Sequence, residues 1–156
     1  MMNPYAAAKP VEILLVEDNA ADVRLTEELF KEGMIAGNIR VARDGIEAIT
    51  YLRQEREYVE APRPDLVLLD LNLPKKGGLD VLNEIKQDDA LRSIPVIILT
   101  TSESEKDIAE SYQRHANCYI VKPVDLDEFL GAIRAIEEFW FSLVRLPKAG
   151  GTGSRL

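Results

Sequence analysis

The sequence predicts an α/β fold: a doubly wound, five-stranded parallel sheet with helices on both faces. Three observations carry this. Five short apolar runs alternate with five helical patterns along the chain. The first, third and fourth runs are nearly continuous Val, Ile and Leu, as strands covered on both faces are. The residues closing the runs are polar and chemically matched, which suits a sheet whose ligands bind outside the carboxyl ends of its strands. The alternation implies right-handed crossovers, but periodicity alone leaves the strand order open.

The elements follow in order. Val11–Val16 is the first strand. Asn19, three residues before Asp22, caps a helix over Ala20–Glu32 whose apolar positions are Val23, Leu25, Leu29 and Phe30. Residues 38–41 form the second strand, and Ile46, Ile49 and Leu52 recur at helical spacing in the second helix. Residues 53–64 are a charged, proline-containing connection into the third strand, Leu66–Leu69. Leu79, Leu82 and Ile85 mark the third helix, and residues 96–99 the fourth strand. Ser104 and Asp107 cap the fourth helix, Cys118–Val121 is the fifth strand, and Asp125 and Glu128 flank the start of the fifth helix.

The last helical pattern is extended. It runs over residues 126–146, about 30 Å if helical throughout, with Phe129, Ile133, Ile136, Phe139, Trp140, Leu143 and Val144 as a broad apolar stripe. Apolar surface beyond the domain's own core suggests a partner. The expectation is a homodimer through the fourth and fifth helices; the alternative is that the extra turn folds back on its own sheet. The helix lacks the Lys/Arg face of a membrane-surface helix. Residues 1–10 read as an N-terminal arm, 11–146 as one domain, and the Gly-rich 147–156 as a mobile tail. No output domain is expected.

Composition narrows the function. With 156 residues, 46% hydrophobic and 29% charged, the chain is globular and fits one domain. A net charge of −8 opposes direct nucleic-acid binding. One cysteine, Cys118, excludes an intramolecular disulfide and a Cys-based zinc cage, and it reads as a small apolar strand residue. One histidine, His115, excludes a His-rich metal site; its position suggests the loop after the fourth helix rather than a phosphodonor. No stretch has the apolar length of a signal peptide core or a membrane span. The expected location is the cytoplasm.

The chemistry lies at the ends of the runs. The first is followed by Glu17 and Asp18, the third by Asp70, the fourth by Thr100, and the fifth by Lys122 and Pro123. Singly, these are an ordinary solvated acidic pair, a turn Asp and a common Lys-Pro dipeptide. Together, at successive strand ends, they place three carboxylates, a hydroxyl and a lysine on one edge. Crowded carboxylates repel one another and need a counter-charge. Mg²⁺, or Mn²⁺, takes such oxygen ligands. A carboxylate can act as nucleophile and form an aspartyl phosphate, and phosphoryl transfer needs positioning and charge neutralisation above all. Lys122 and the metal supply the neutralisation, and the Thr100 hydroxyl can donate to a phosphoryl oxygen.

The sequence resembles the receiver domains of bacterial response regulators. The matching pieces are ILLVEDN (13–19), DLVLLDLNLP (65–74), PVIILTTS (95–102) and YIVKP (119–123). The resemblance implies a flavodoxin-like sheet of order 2-1-3-4-5. It implies Asp70 as phosphoacceptor, Asp18 and Asp70 as direct metal ligands, Asn72 as a ligand through its backbone carbonyl, and Glu17 as a ligand through water. Thr100 matches the switch hydroxyl, Tyr119 the switch aromatic, and Lys122 the lysine that pairs with the phosphoryl group, followed by a cis bond to Pro123. The implied output is a conformational change at the face of the fourth helix, fifth strand and fifth helix. The connection REYVEAPRPDLVLLDLNLP, the run HANCYIVKPVDL and the ending IEEFWFSLVRLP are similar to response regulators paired with phytochromes. That implies a sensor histidine kinase, of phytochrome type, as partner.

Two other classes fit the residues less well. A small phosphohydrolase also uses a strand-end Asp, but commonly places a second Asp two residues later, where this chain has Asn72. A phosphorylation-independent scaffold would need none of Glu17, Asp18, Asp70, Thr100 and Lys122.

Overall fold

The computed structural model describes residues 10–140 except Ser102, with side chains through residue 136. The expected arm, tail and final helical turns, with the side chains of Phe139, Trp140 and Leu143 that motivated the dimer, lie outside the described residues.

Five parallel strands, β1 (Val11–Val16), β2 (Gly37–Ala42), β3 (Leu66–Leu69), β4 (Val96–Thr100) and β5 (Cys118–Val121), form one sheet of order β2-β1-β3-β4-β5. The helices are α1 (Ala20–Glu32), α2 (Gly45–Leu52), α3 (Gly78–Gln87), α4 (Glu105–Gln113) and α5 (Leu126–Trp140), with a 3₁₀ turn at Arg56–Tyr58. The flavodoxin-like expectation holds in both order and direction. β1, β3 and β4 are the inner strands, and their apolar runs are buried almost throughout; edge strand β2 alternates with solvent.

Strand parity divides the core in two. Leu14, Val16, Leu69 and Ile98 pack with α2 and α3 through Ala48, Leu82 and Ile85. Ile13, Leu15, Leu68 and Ile97 pack on the other face with Phe30 of α1 and Phe129 of α5. Those two rings meet edge to face at 5.3 Å.

Helix starts follow their caps. The Asn19 side chain accepts from the Asp22 N–H, Asp44 from Glu47, Ser104 from Asp107, and Asp125 from Glu128. Two expected core positions face outward: Leu25 is 62% exposed and Ile46 51%. Val23, Thr26 and Phe30 define the sheet-facing side of α1, and Leu25 falls off that line at about 100° per residue. Ile46 is off the 45/48/49/52 line of α2 in the same way. The expected connection over 53–64 contains the 3₁₀ turn, tied to α2 by Tyr58 Oη donating to Glu47 Oε2 at 2.6 Å.

Two glycines let loops close over the strand ends. A Cβ on Gly45 would collide with the Lys76 carbonyl, and one on Gly78 with the Asp70 carbonyl oxygen and Leu71 Cα. Gly78 opens α3, so its lack of a side chain brings that helix against the backbone of Asp70.

Candidate functional site

Three of the polar strand-end residues are held by the sheet through their N–H groups. The Glu17 N–H donates to Ala42 O at 2.9 Å, Asp70 N–H to Val16 O at 3.1 Å, and Lys122 N–H to Thr100 O at 2.8 Å. Their backbones are thus fixed by neighbouring strands. Beyond them the chain turns into α1, into the loop that Gly78 closes, and into α5.

These anchors bring the expected residues together. Carboxylate oxygens of Glu17, Asp18 and Asp70 lie within 4.8 Å of one another. Lys122 Nζ donates to Glu17 Oε1 at 2.6 Å and to Asp70 Oδ2 at 3.3 Å. The other Asp70 oxygen, Oδ1, accepts the Asn72 N–H at 3.0 Å. Glu17 Oε2 accepts the Asn19 N–H at 3.3 Å. Thr100 closes β4 fully buried. Its register partner is Val121, and Tyr119 pairs with Ile98, so Thr100 and Tyr119 share a sheet face. Tyr119 is half-buried against the α2–α3 core. The Lys122–Pro123 bond is cis.

Burial shapes the electrostatics. Glu17 is 2% exposed. Its desolvation, reinforced by the Asp70 charge and opposed by the Lys122 hydrogen bond, pushes its carboxyl up to about 6. Burial alone would lower Lys122, but hydrogen bonds from its amine to Glu17 and Asp22 and the charge of Asp70 prevail and raise it to about 12. A fixed ammonium therefore faces a carboxylate set that it only partly neutralises. Oxygen donors with uncompensated negative charge suit Mg²⁺ or Mn²⁺, so the residues present fit a divalent ion.

One contact was not legible as part of the site. Asp22 of α1 accepts from Lys122 Nζ at 3.0 Å, whereas the sequence marked it only as a capping partner. The available signal was its place one turn beyond the acidic pair, on a helix that starts at the same edge. The two singletons stand apart: His115 is exposed in the turn after α4 with φ 71°, and Cys118 is half-buried, its thiol pushed up by burial. Among the described residues, no helix is long and apolar enough to cross a membrane.

Comparison with known proteins gives the family. A family model described as the response regulator receiver domain matches residues 13–134. Response regulator Rcp1 of Synechocystis sp. is 49% identical over 140 residues, 90% of this chain and 95% of the relative. The crystal structure of the phosphorylated cyanobacterial phytochrome response regulator RcpA superposes with a TM-score of 0.73 at 51% identity, covering 86% of this chain and 96% of that one. The Mn²⁺-bound form of Rcp1 superposes at 0.72 and 48% identity, covering 86% and 97%. The fold therefore has its counterpart in a known group, and this chain belongs to the response regulator receiver domain family, with phytochrome response regulators among its relatives.

Proposed function

We propose that the chain is a phospho-switch in which Asp70 accepts a phosphoryl group from the phosphohistidine of a sensor histidine kinase. The observation that carries this is the Asp70 carboxylate, set within 4.8 Å of two further carboxylates and bonded to the Lys122 amine. An Asp70 oxygen attacks phosphorus as the bond to the donor nitrogen breaks, and the imidazole leaves with the electron pair and takes a proton. Asn72 N–H and Lys122 Nζ hold the two carboxylate oxygens while the second lone pair of each stays available. Asp18 and Asp70 would hold Mg²⁺ or Mn²⁺ directly, with the Asn72 carbonyl beside them and Glu17 acting through water. Bound there, the ion supplies charge neutralisation for the carboxylates and the incoming phosphoryl oxygens.

The protein's own chemistry is then limited to taking the phosphoryl group and slowly losing it to water. The signal passes through Thr100 and Tyr119 to the α4–β5–α5 face. Burial of Thr100 on the sheet face that Tyr119 shares supports that route: a hydroxyl drawn toward the phosphoryl group leaves room that the ring can enter. RcpA is a phytochrome response regulator, which favours a phytochrome-type kinase as donor; that setting and the single reduced cysteine fit the cytoplasm. Incubation with acetyl phosphate and Mg²⁺, followed by intact mass, tests the reading. One phosphoryl mass is expected on the wild type and none on Asp70→Asn; equal modification of the two would overturn the assignment.

A further inference from the structure

Lys122 Nζ has three carboxylate partners, and two belong to the strand ends. The third, Asp22, comes from the first turn of α1 and lies closer than Asp70, at 3.0 Å against 3.3 Å. Asp22 is the third residue after the N-cap Asn19. From that position an acid ordinarily reaches back over the helix start. Glu47 does so at the head of α2, where its Oε1 accepts the Arg43 N–H at 2.9 Å. In α1 the Asn19 N–H goes to Glu17 instead. The Asp22 carboxylate is turned toward a lysine 100 residues away in sequence. Capping therefore does not account for its direction.

An ammonium has three N–H donors, and Glu17, Asp22 and Asp70 engage all three. A phosphoryl oxygen that recruits this amine must displace one of them. The side chains of Glu17 and Asp70 are 3% and 9% exposed, and that of Asp22 30%. Water can therefore resolvate Asp22 at the least cost among the three.

Resting on the phosphoacceptor reading above, we propose that Asp22 is a positioning residue that competes with the Asp70 site for the Lys122 amine and sets how readily Asp70 is phosphorylated. In the unmodified protein it holds the amine toward α1. As an Asp70 oxygen bonds to phosphorus and acetate leaves acetyl phosphate with the bonding pair, Lys122 turns to the phosphoryl oxygens and releases Asp22 to solvent.

The test is a double-mutant cycle read by intact mass at saturating Mg²⁺ across an acetyl phosphate titration. Asp22→Asn keeps the shape but removes the charge, so it should reach half-modification at about fivefold less donor, the difference between a charged and a neutral acceptor. Asp22→Glu restores the charge and should return toward wild type. In a Lys122→Gln background, Asp22→Asn should have no effect, because it acts through the lysine. Asp22→Ser gives a second neutral variant if the amide perturbs α1, and thermal unfolding of each protein checks the fold. An unchanged half-modification point in Asp22→Asn and Asp22→Ser, or the same shift without Lys122, would overturn the inference while the phosphoacceptor reading stands. A wild type that takes no phosphate overturns that reading, and this inference with it.

Discussion

Glu17 and Lys122 form an ion pair of 2.6 Å across 105 residues of chain, with side chains only 3% and 11% exposed. A buried pair of this kind is costly to break from one side, because the remaining charge is left without its partner. Lys122→Ala is expected to lower folding stability by roughly 3 kcal/mol, measured by chemical denaturation. It should still accept some phosphoryl group on Asp70, but without the change in amide exchange around Tyr119 expected when the wild type is modified. The same exchange response in both proteins would remove Lys122 from the switch.

The two neighbouring acids should differ as ligands. Glu17 is buried and already accepts from Lys122 and the Asn19 N–H, while Asp18 is exposed at the same edge. Asp18→Ala is expected to weaken Mg²⁺ binding by calorimetry more than Glu17→Ala, since it loses a direct bond as well as a charge. Affinities equal to wild type in both variants would take both residues out of the metal site.

Adjacent glycines provide an internal control. A Cβ on Gly78 meets the backbone of Asp70 and Leu71, whereas one on Gly77 meets nothing within 4 Å. Gly78→Ala should cost about 1–3 kcal/mol and reduce phosphorylation of Asp70. Gly77→Ala should leave both near wild type. Thermal unfolding together with acetyl phosphate labelling would separate them, and equal behaviour of the two variants would contradict the packing.

Lys86 sets a pH dependence away from the site. Its amine donates to Arg92 O at 3.0 Å and Ile94 O at 2.7 Å, and burial lowers it from 10.5 to about 8. Between these values the unfolded chain binds the extra proton, so stability should rise with pH through that window. Because the group is only half-buried, the gain is on the order of 1 kcal/mol. Denaturation at pH 7.5 and 10 should show it in the wild type relative to Lys86→Met; parallel curves would refute it.

Much of this architecture is legible from residue order because each signal is local. Asn19, Ser104 and Asp125 cap helices over three residues of separation, and the apolar runs of β1, β3 and β4 need only their own composition to be read as buried. The strand-end cluster is legible because one topological rule gathers its residues on one edge. What escaped depends on three-dimensional placement. Whether Leu25 faces the sheet is decided by where α1 settles. Asp22 reads as a capping acid until a lysine from the far end of the chain stands beside it. Gly78 carries no mark of the Asp70 backbone pressed against it.

The N–H groups of Glu17, Asp70 and Lys122 are stitched to the neighbouring strands at Ala42, Val16 and Thr100. The positions of these three residues are thus set by strand register and owe little to the loops that follow. Substitutions on the outward faces of the helices can then alter the protein's exterior while the spacing of Glu17, Asp70 and Lys122 stays as the sheet sets it.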